Sequence, residues 1–340
     1  MPVDPLGIGG PTRGQAAGPH WRRTSHGLYL PAEVDGSVPE QRILEQATRL
    51  PPEGAVTGWA ACRLHGASFF DGLLPDGCTR MPVPLVVGPQ RRIRRDDNVT
   101  VSYERLGVVD RVTRYGIACA TVRRALFDAM RRADSVREAV VSMDMMAAAE
   151  LTSIRRMREY CATRPGWAGV RQMRAALDLA SEDSRSPNET RMRLVWVLDA
   201  GLSVPAVNQP VYDLDGRLLG VADLLDVAAG VVGEYDGEDH RHAQRQAHDV
   251  AREDRLRRHG LEVFRVTGPD LRRRNVLVDR MRAARSRAKW LPPGHRRWTT
   301  EDPRADRPAP SLDEVLDHRE WLAMVSDSYT SYPVGQGTPF

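Results

Sequence analysis

Six carboxylates and an imidazole crowd the stretch from Val221 to His240, and three of the acids, Asp223, Glu234 and Asp236, stand within apolar strand-like runs ahead of His240. Leu219, Val221, Asp223 and Leu225 alternate with their neighbours, so a strand over 218–226 places all four on one face. A short turn through Asp226 to Gly230 leads to a second strand, Val231 to Tyr235, where Val232, Glu234 and Asp236 share a face by the same period of two. Paired as a hairpin, the strands bring three acids together. Like charges on partly buried strands oppose joint ionisation, and a divalent cation is the natural neutraliser. Oxygen-only ligands select Mg2+ or Mn2+, and such a site serves phosphodiester hydrolysis. A plainer reading makes these acids strand ends and turn residues, since Asp236-Gly237 is also a turn dipeptide.

The elements that must position them are also legible. Ser186-Pro187-Asn188-Glu189 opens a helix, with a serine cap, proline at the first helical position and glutamate three after the cap. Glu189 is therefore either a cap or part of the acidic site. A polar helix between Gly237 and Gly260 carries Gln244, Asp249, Arg252 and Arg255 at spacings near a turn. Leu261 to Thr267 then reads as a strand, and Leu271 to Lys289 as an arginine-rich helix.

Ser186 to Arg193, Gly201 to Pro205, Asp213 to Arg217, Ala222-Asp223, Glu234-Tyr235-Asp236-Gly237 with His240, Asp249 with Arg252, and Gly260 to Thr267 follow one another in a fixed order. Together they resemble the endonuclease-like domain related to very-short-patch repair endonucleases, within the PD-(D/E)XK nuclease superfamily, over roughly 182 to 290. The resemblance implies a restriction-endonuclease-like mixed β-sheet flanked by helices. It gives the metal positions to Asp223, Glu234 and the Tyr235 backbone carbonyl, with Glu189 as an auxiliary acid. It turns Asp249, Arg252, Arg255 and Arg258 toward substrate phosphate. The superfamily lysine falls at Asp236, and the only lysine of the chain is Lys289. Related repair-type nucleases use histidine instead, which makes His240, with an ordinary pKa of about 6.5, the candidate base.

At 340 residues the chain has room for two domains. Its 41% hydrophobic content suffices for real cores, and no apolar run approaches the roughly 18 residues of a membrane span. Nothing resembles a signal peptide, and Cys62, Cys78, Cys119 and Cys161 lack paired spacing, so cytoplasmic, reduced, structural thiols are expected. Net charge is only +4, yet arginines crowd Arg252 to Arg297, while the segment beyond Thr300 turns acidic. Guanidinium forks suit a nucleic-acid backbone, and a solvated helix face is the alternative.

Residues 1–19, rich in Gly and Pro, are expected to be a disordered leader. Trp21 to Pro31 resembles the wing of a winged-helix domain, and the region from 20 to 181 resembles an abortive-infection type IV antitoxin-like segment ending in a helical connector. Helices are expected over 39–50, 56–66 and 121–133, then from an Asp134 cap to Met146, on to Cys161, and over 169–180, with strands over 81–87 and 99–103. His65 reads as a helix-end residue without chemistry. Residues 182–290 form the endonuclease-like domain, and 291–340 a linker with a short acidic helix over 311–325. The fold class is α+β, and the expected function is metal-dependent DNA cleavage with DNA as partner and a cognate toxin protein as a second one. The rivals are a catalytically inactive DNA-binding regulator and a protein-binding antitoxin.

Overall fold

The computed structural model describes residues 1–94, 96–237, 243–302, 304 and 309–330, except for the side chains of 243–249 and 327–330. The architecture is mixed α+β. Two compact units are present, Met1–Ala149 with Met157–Leu177, and Glu150–Arg156 with Asp178–Phe340. No helix among the described residues is long and apolar enough to cross a membrane.

The first unit begins with α1 (Arg13–Ala16) and a hairpin of β1 (Trp21–Ser25) and β2 (Leu28–Pro31), followed by α2 (Pro39–Ala47), β3 (Ala55–Val56) and α3 (Gly58–Leu64). Next come β4 (Val83–Val86), β5 (Val99–Ser102), β6 (Arg111–Arg114), β7 (Ile117–Ala120), α4 (Val122–Arg131) and α5 (Val136–Ala148). α6 (Ile154–Ala162) and α7 (Val170–Leu179) complete the series. The five strands β3 to β7 form a mixed sheet in the order β5-β4-β3-β7-β6. Gly58 has φ +53, and a Cβ there would stand 2.9 Å from Pro84, so the start of α3 requires glycine. Buried Asp128 accepts from Thr57 Oγ1 at 2.7 Å, Arg124 Nε at 3.0 Å and Arg131 Nε at 2.9 Å, which pairs its charge within the core.

Several expectations change here. The leader is built rather than formless: Pro2 bridges Leu28, and the Asp4 carboxylate accepts from the amides of Leu6, Ile8 and Gly9. Local side-chain acceptors replace the core that its composition lacks. Ser135, not Asp134, caps α5, its hydroxyl accepting from Glu138 N at 3.3 Å. Cys62, Cys119 and Cys161 are buried, but Cys78 is exposed. His65 closes α3, with Nε2 2.8 Å from Ala120 O and its pKa lowered by burial.

In the second unit, α8 (Pro187–Leu194) continues through a π-helical turn, Val195–Asp199, into β8 (Ala206–Asp213), β9 (Leu218–Asp226) and β10 (Val231–Asp236). β9 runs antiparallel to both β8 and β10. α9 (Ala243–Arg258) then crosses to β11 (Glu262–Thr267), which lies parallel to β10. α10 (Gly268–Arg272), α11 (Arg274–Arg287), β12 (Trp298–Thr299) and α12 (Leu312–Thr330) follow, and the sheet order is β11-β10-β9-β8-β12. β12 pairs with β8, so residues beyond 290 are part of this unit and not a separate linker region.

Helices cover both faces of that sheet. Met192 and Trp196 with Leu277 and Met281 pack on Leu224, Val231, Phe264 and Val266, while Leu256 and Trp298 join Leu219, Leu225, Val232 and Val263. Consecutive residues Val231 and Val232 enter opposite cores, as a strand period of two requires. The Trp196 and Phe264 rings stack with centroids 5.9 Å apart, and Gly233 makes room for them, because a Cβ there would stand 2.5 Å from the Phe264 ring. The expected alternation in β9 breaks near its start. The register slips opposite Val211 and Tyr212, and both Leu219 and Ala222 join the same core, which strict alternation forbids.

Candidate active site on the β9–β10 hairpin

The register of β9 and β10 pairs Val232 with Leu225 and Gly233 with Leu224. Asp223 and Glu234 are the next residues along each strand, so the hairpin carries both acids to one end, as the period-two reading requires. Asp223 Oδ2 accepts the Tyr235 amide at 2.7 Å. Burial pushes the Asp223 carboxyl up to about 6; that amide opposes the shift, while the charges of Glu189 and Glu234 add to it.

Glu234 is 3% exposed. Arg252 Nη2 donates to its Oε2 at 2.7 Å, and Arg252 Nη1 donates to Val221 O at 3.2 Å. Burial still raises the Glu234 pKa against the opposing charges of Arg252 and Arg265. Its Oε1 is buried and accepts no hydrogen bond among the described residues, and the neighbouring Arg252 Nε is likewise buried and unbonded there. The hairpin therefore holds two acids that its own cations do not fully neutralise.

Ser186 caps α8 by accepting from Glu189 N at 3.2 Å, but Glu189 does not complete the capping box on Ser186. Its Oε2 instead accepts from Arg185 N at 2.9 Å and from Asn208 Nδ2 at 2.8 Å. Asn208 has φ +46 and lies between the β8–β9 pairs Val207–Leu224 and Gln209–Ala222, opposite Asp223. Asparagine tolerates that left-handed conformation. Next to it along α8, Asn188 Nδ2 donates to the Tyr235 hydroxyl at 2.7 Å. Asn188 and Asn208 thus tie Glu189 and α8 to the hairpin, a role that no local pattern announced.

Asp236, at the lysine position of the resemblance, is exposed and lies 3.6 Å from Arg265 Nη1 on the adjacent β11. It lies two residues beyond Glu234 on β10, and the same Arg265 bears on the Glu234 charge. His240 and the Asp249 side chain lie outside the described residues. Among the described residues, no group of three or more His, Cys, Asp or Glu side chains is gathered for a metal ion. Among the described residues, the hairpin brings the Asp223 and Glu234 carboxylates together.

Most arginines of the basic run face protein carboxylates or carbonyls. Arg252 turns into Glu234, Arg255 Nε reaches Leu219 O at 3.4 Å, and Arg258 pairs with Asp254 at 2.5 Å. Arg280 pairs with Asp270, Arg285 with Asp226, and Arg287 with Glu262. Apart from the local i,i+4 pair of Arg258 with Asp254, tertiary partners invisible in the local sequence thus consume much of the positive face. Arg272, Arg273 and Arg274 differ: consecutive and exposed, they have no carboxylate within ion-pair distance among the described residues.

No family model, curated protein or solved structure matches the chain.

Proposed function

We propose that the second unit is a metal-dependent DNA endonuclease of the very-short-patch-repair-like, restriction-endonuclease-like type. The observation that carries this reading is the hairpin pair. Asp223 and Glu234 hold protons abnormally tightly, and Glu234 Oε1 is a buried acceptor with no donor among the described residues. A divalent cation satisfies that combination, because it supplies positive charge and fills an empty lone pair at once. The mixed sheet flanked by helices, with acids on adjacent strands and Glu189 on the helix before them, agrees with the resemblance drawn from the sequence.

Asp223, Glu234 and the Tyr235 carbonyl would hold Mg2+ or Mn2+. When bound, that ion polarises a phosphodiester and lowers the pKa of water beside it. Arg252 fixes the orientation of the Glu234 carboxylate from behind. Asn208 holds Glu189 beside Asp223, where it acts as the auxiliary acid. His240 takes the role of proton acceptor for attacking water, and exposed Arg272 to Arg274 contact substrate phosphates. The first unit is assigned an antitoxin-like role with a cognate toxin protein as its partner.

One observation favours a second reading. Asp236 replaces the superfamily lysine and is paired with Arg265, so a degenerate site on a DNA-binding regulator accounts for the same fold. Nicking of supercoiled DNA separates the two. The proposal predicts nicking with Mg2+ or Mn2+ that disappears on chelation and in Asp223→Ala. Unchanged nicking by Asp223→Ala defeats it, and metal-independent retardation of DNA without nicking establishes the regulator.

A further inference from the structure

Among the described residues, the acidic C-terminal helix makes no ion pair with the arginines of 252–297. It engages a different pair, Arg155 and Arg156, in the first turn of α6. Asp313 Oδ2 takes Arg155 Nε at 2.8 Å, and Asp313 Oδ1 takes the Ser153 hydroxyl at 2.5 Å. Asp317 takes Arg156 Nη2 at 2.5 Å, and Glu320 takes Arg156 Nη1. Positions 313, 317 and 320 recur at the spacing of one helix face, so a single stripe of α12 makes all these contacts. Arg156 is thereby only 8% exposed.

The apolar hold of α12 is slight. Among its described side chains only Leu316 is buried, whereas Trp321, Leu322 and Met324 remain exposed. Arg155, Asp317 and Glu320 are half exposed or more, so salt reaches and screens these pairs, while Arg319 with Glu150 and the half-buried Leu312, Val315 and Val325 add the rest of the hold on the helix. What it occupies is a pair of adjacent guanidiniums, the group best shaped for phosphate. A relay of hydrogen bonds connects the place to the Glu189 end of the hairpin site: Ile154 N donates to Glu182 at 2.6 Å, and Asp183 O, on the following residue, accepts from Asn208, whose amide also holds Glu189.

We propose that α12 is an autoinhibitory acidic strap, in which Asp313, Asp317 and Glu320 occupy Arg155 and Arg156 until a nucleic-acid backbone displaces them. The device rests on the reading of this unit as one that acts on DNA, and it makes α12 a competitor of substrate phosphate at the Glu189 end of the site. Carboxylates stand where phosphates go, so release of the strap adds two phosphate contacts and removes three repelling charges.

The test is binding of a short DNA duplex to the full chain in chelator, followed by anisotropy across a salt series. Asp313→Asn/Asp317→Asn/Glu320→Gln should bind at least tenfold more tightly than the parent. The slope of log affinity against log salt should steepen by about 1.8, the value for two added phosphate contacts. Adding Arg155→Gln/Arg156→Gln should abolish both changes. Asp317→Asn alone, a milder variant, should gain about threefold, a partial share of that salt-dependent term. A triple variant that binds no tighter overturns the strap, and so does a gain that survives loss of both arginines, since that reports general charge alone. Because the readout is binding without metal, failure here is distinct from failure of the nicking assay, which alone decides catalysis.

Discussion

Asp270 and Asp223 belong to the same unit, and their surroundings drive their proton affinities in opposite directions. Asp270 accepts from Arg280 at 2.8 and 2.9 Å and from the Thr267 amide and hydroxyl at 2.9 Å each. The bonded Arg280 guanidinium is the main reason that its pKa falls to about 2. Asp223 accepts one amide and lies near two other acids, and burial takes it to about 6. Glu234 falls between them, since it has an arginine, yet burial outweighs it and one oxygen goes unpaired. An acid whose lone pairs and charge are met by the chain is a structural part. An acid left short of partners at a strand end is where the proposed ion would bind.

The sharpest break between the two regions is catalytic. Asp223→Ala or Glu234→Ala should lower metal-dependent nicking by at least about 100-fold, as loss of a ligand to a catalytic ion does. Asp270→Asn should leave the rate of supercoiled-plasmid loss within about twofold, because that acid contacts no reacting group. Equal losses in the two regions would erase the distinction.

Stability offers the next largest effect, with a sign that only the unneutralised acid can show. A carboxyl whose pKa is higher in the folded than in the unfolded chain costs nothing below the usual value of 3.8; the cost grows toward about 6 and is full above it. Asp223→Asn should therefore match the parent in acid and be more stable at neutral pH, by up to about 3 kcal/mol. Urea titration at several pH values reads this directly. Millimolar Mg2+ or Mn2+ should raise the melting temperature of the parent and leave that of Asp223→Asn unmoved.

What the sequence made legible follows the range of each interaction. Periodicity located β9 and β10, Ser186 and Pro187 located the start of α8, and Gly260, with φ +92, marks the end of α9. Each of these is a local matter of alternation, capping or backbone conformation. The pairing of Arg252 with Glu234, of Arg285 with Asp226 and of Arg156 with Glu320 joins residues far apart in the chain. A run of arginines looks the same whether it faces phosphate or protein, so the basic face read from composition was overstated. Asp226 illustrates the plainer reading: it caps its own turn through the Ala229 amide at 3.1 Å and pairs with Arg285.

The fully paired acid gives a smaller effect of opposite sign. A depressed pKa contributes stability that is present above 3.8 and is lost as pH falls through about 2. Asp270→Asn should cost about 1 kcal/mol at pH 7, once the shift is discounted for solvent screening of this rim pair. The cost should vanish toward pH 2 in the same urea titrations.

Glu189 belongs to both regions, and it separates architecture from chemistry with the smallest change. Its Oε2 accepts from Arg185 N and Asn208 Nδ2, which is a capping and tethering role, while its charge raises the Asp223 pKa, which is a role in the site. Glu189→Ala removes both and should cost about 1 kcal/mol, the usual value of a lost cap. Glu189→Gln keeps an acceptor oxygen and removes only the charge, so it should recover most of that stability. If the charge serves the site, Glu189→Gln remains deficient in nicking despite its stability, and the acid limb of the nicking profile moves to lower pH, because Asp223 ionises more easily without a neighbouring anion. Nicking at the parental rate with an unmoved profile makes Glu189 a helix cap alone and leaves Asp223 and Glu234 as the entire acidic site on these three elements.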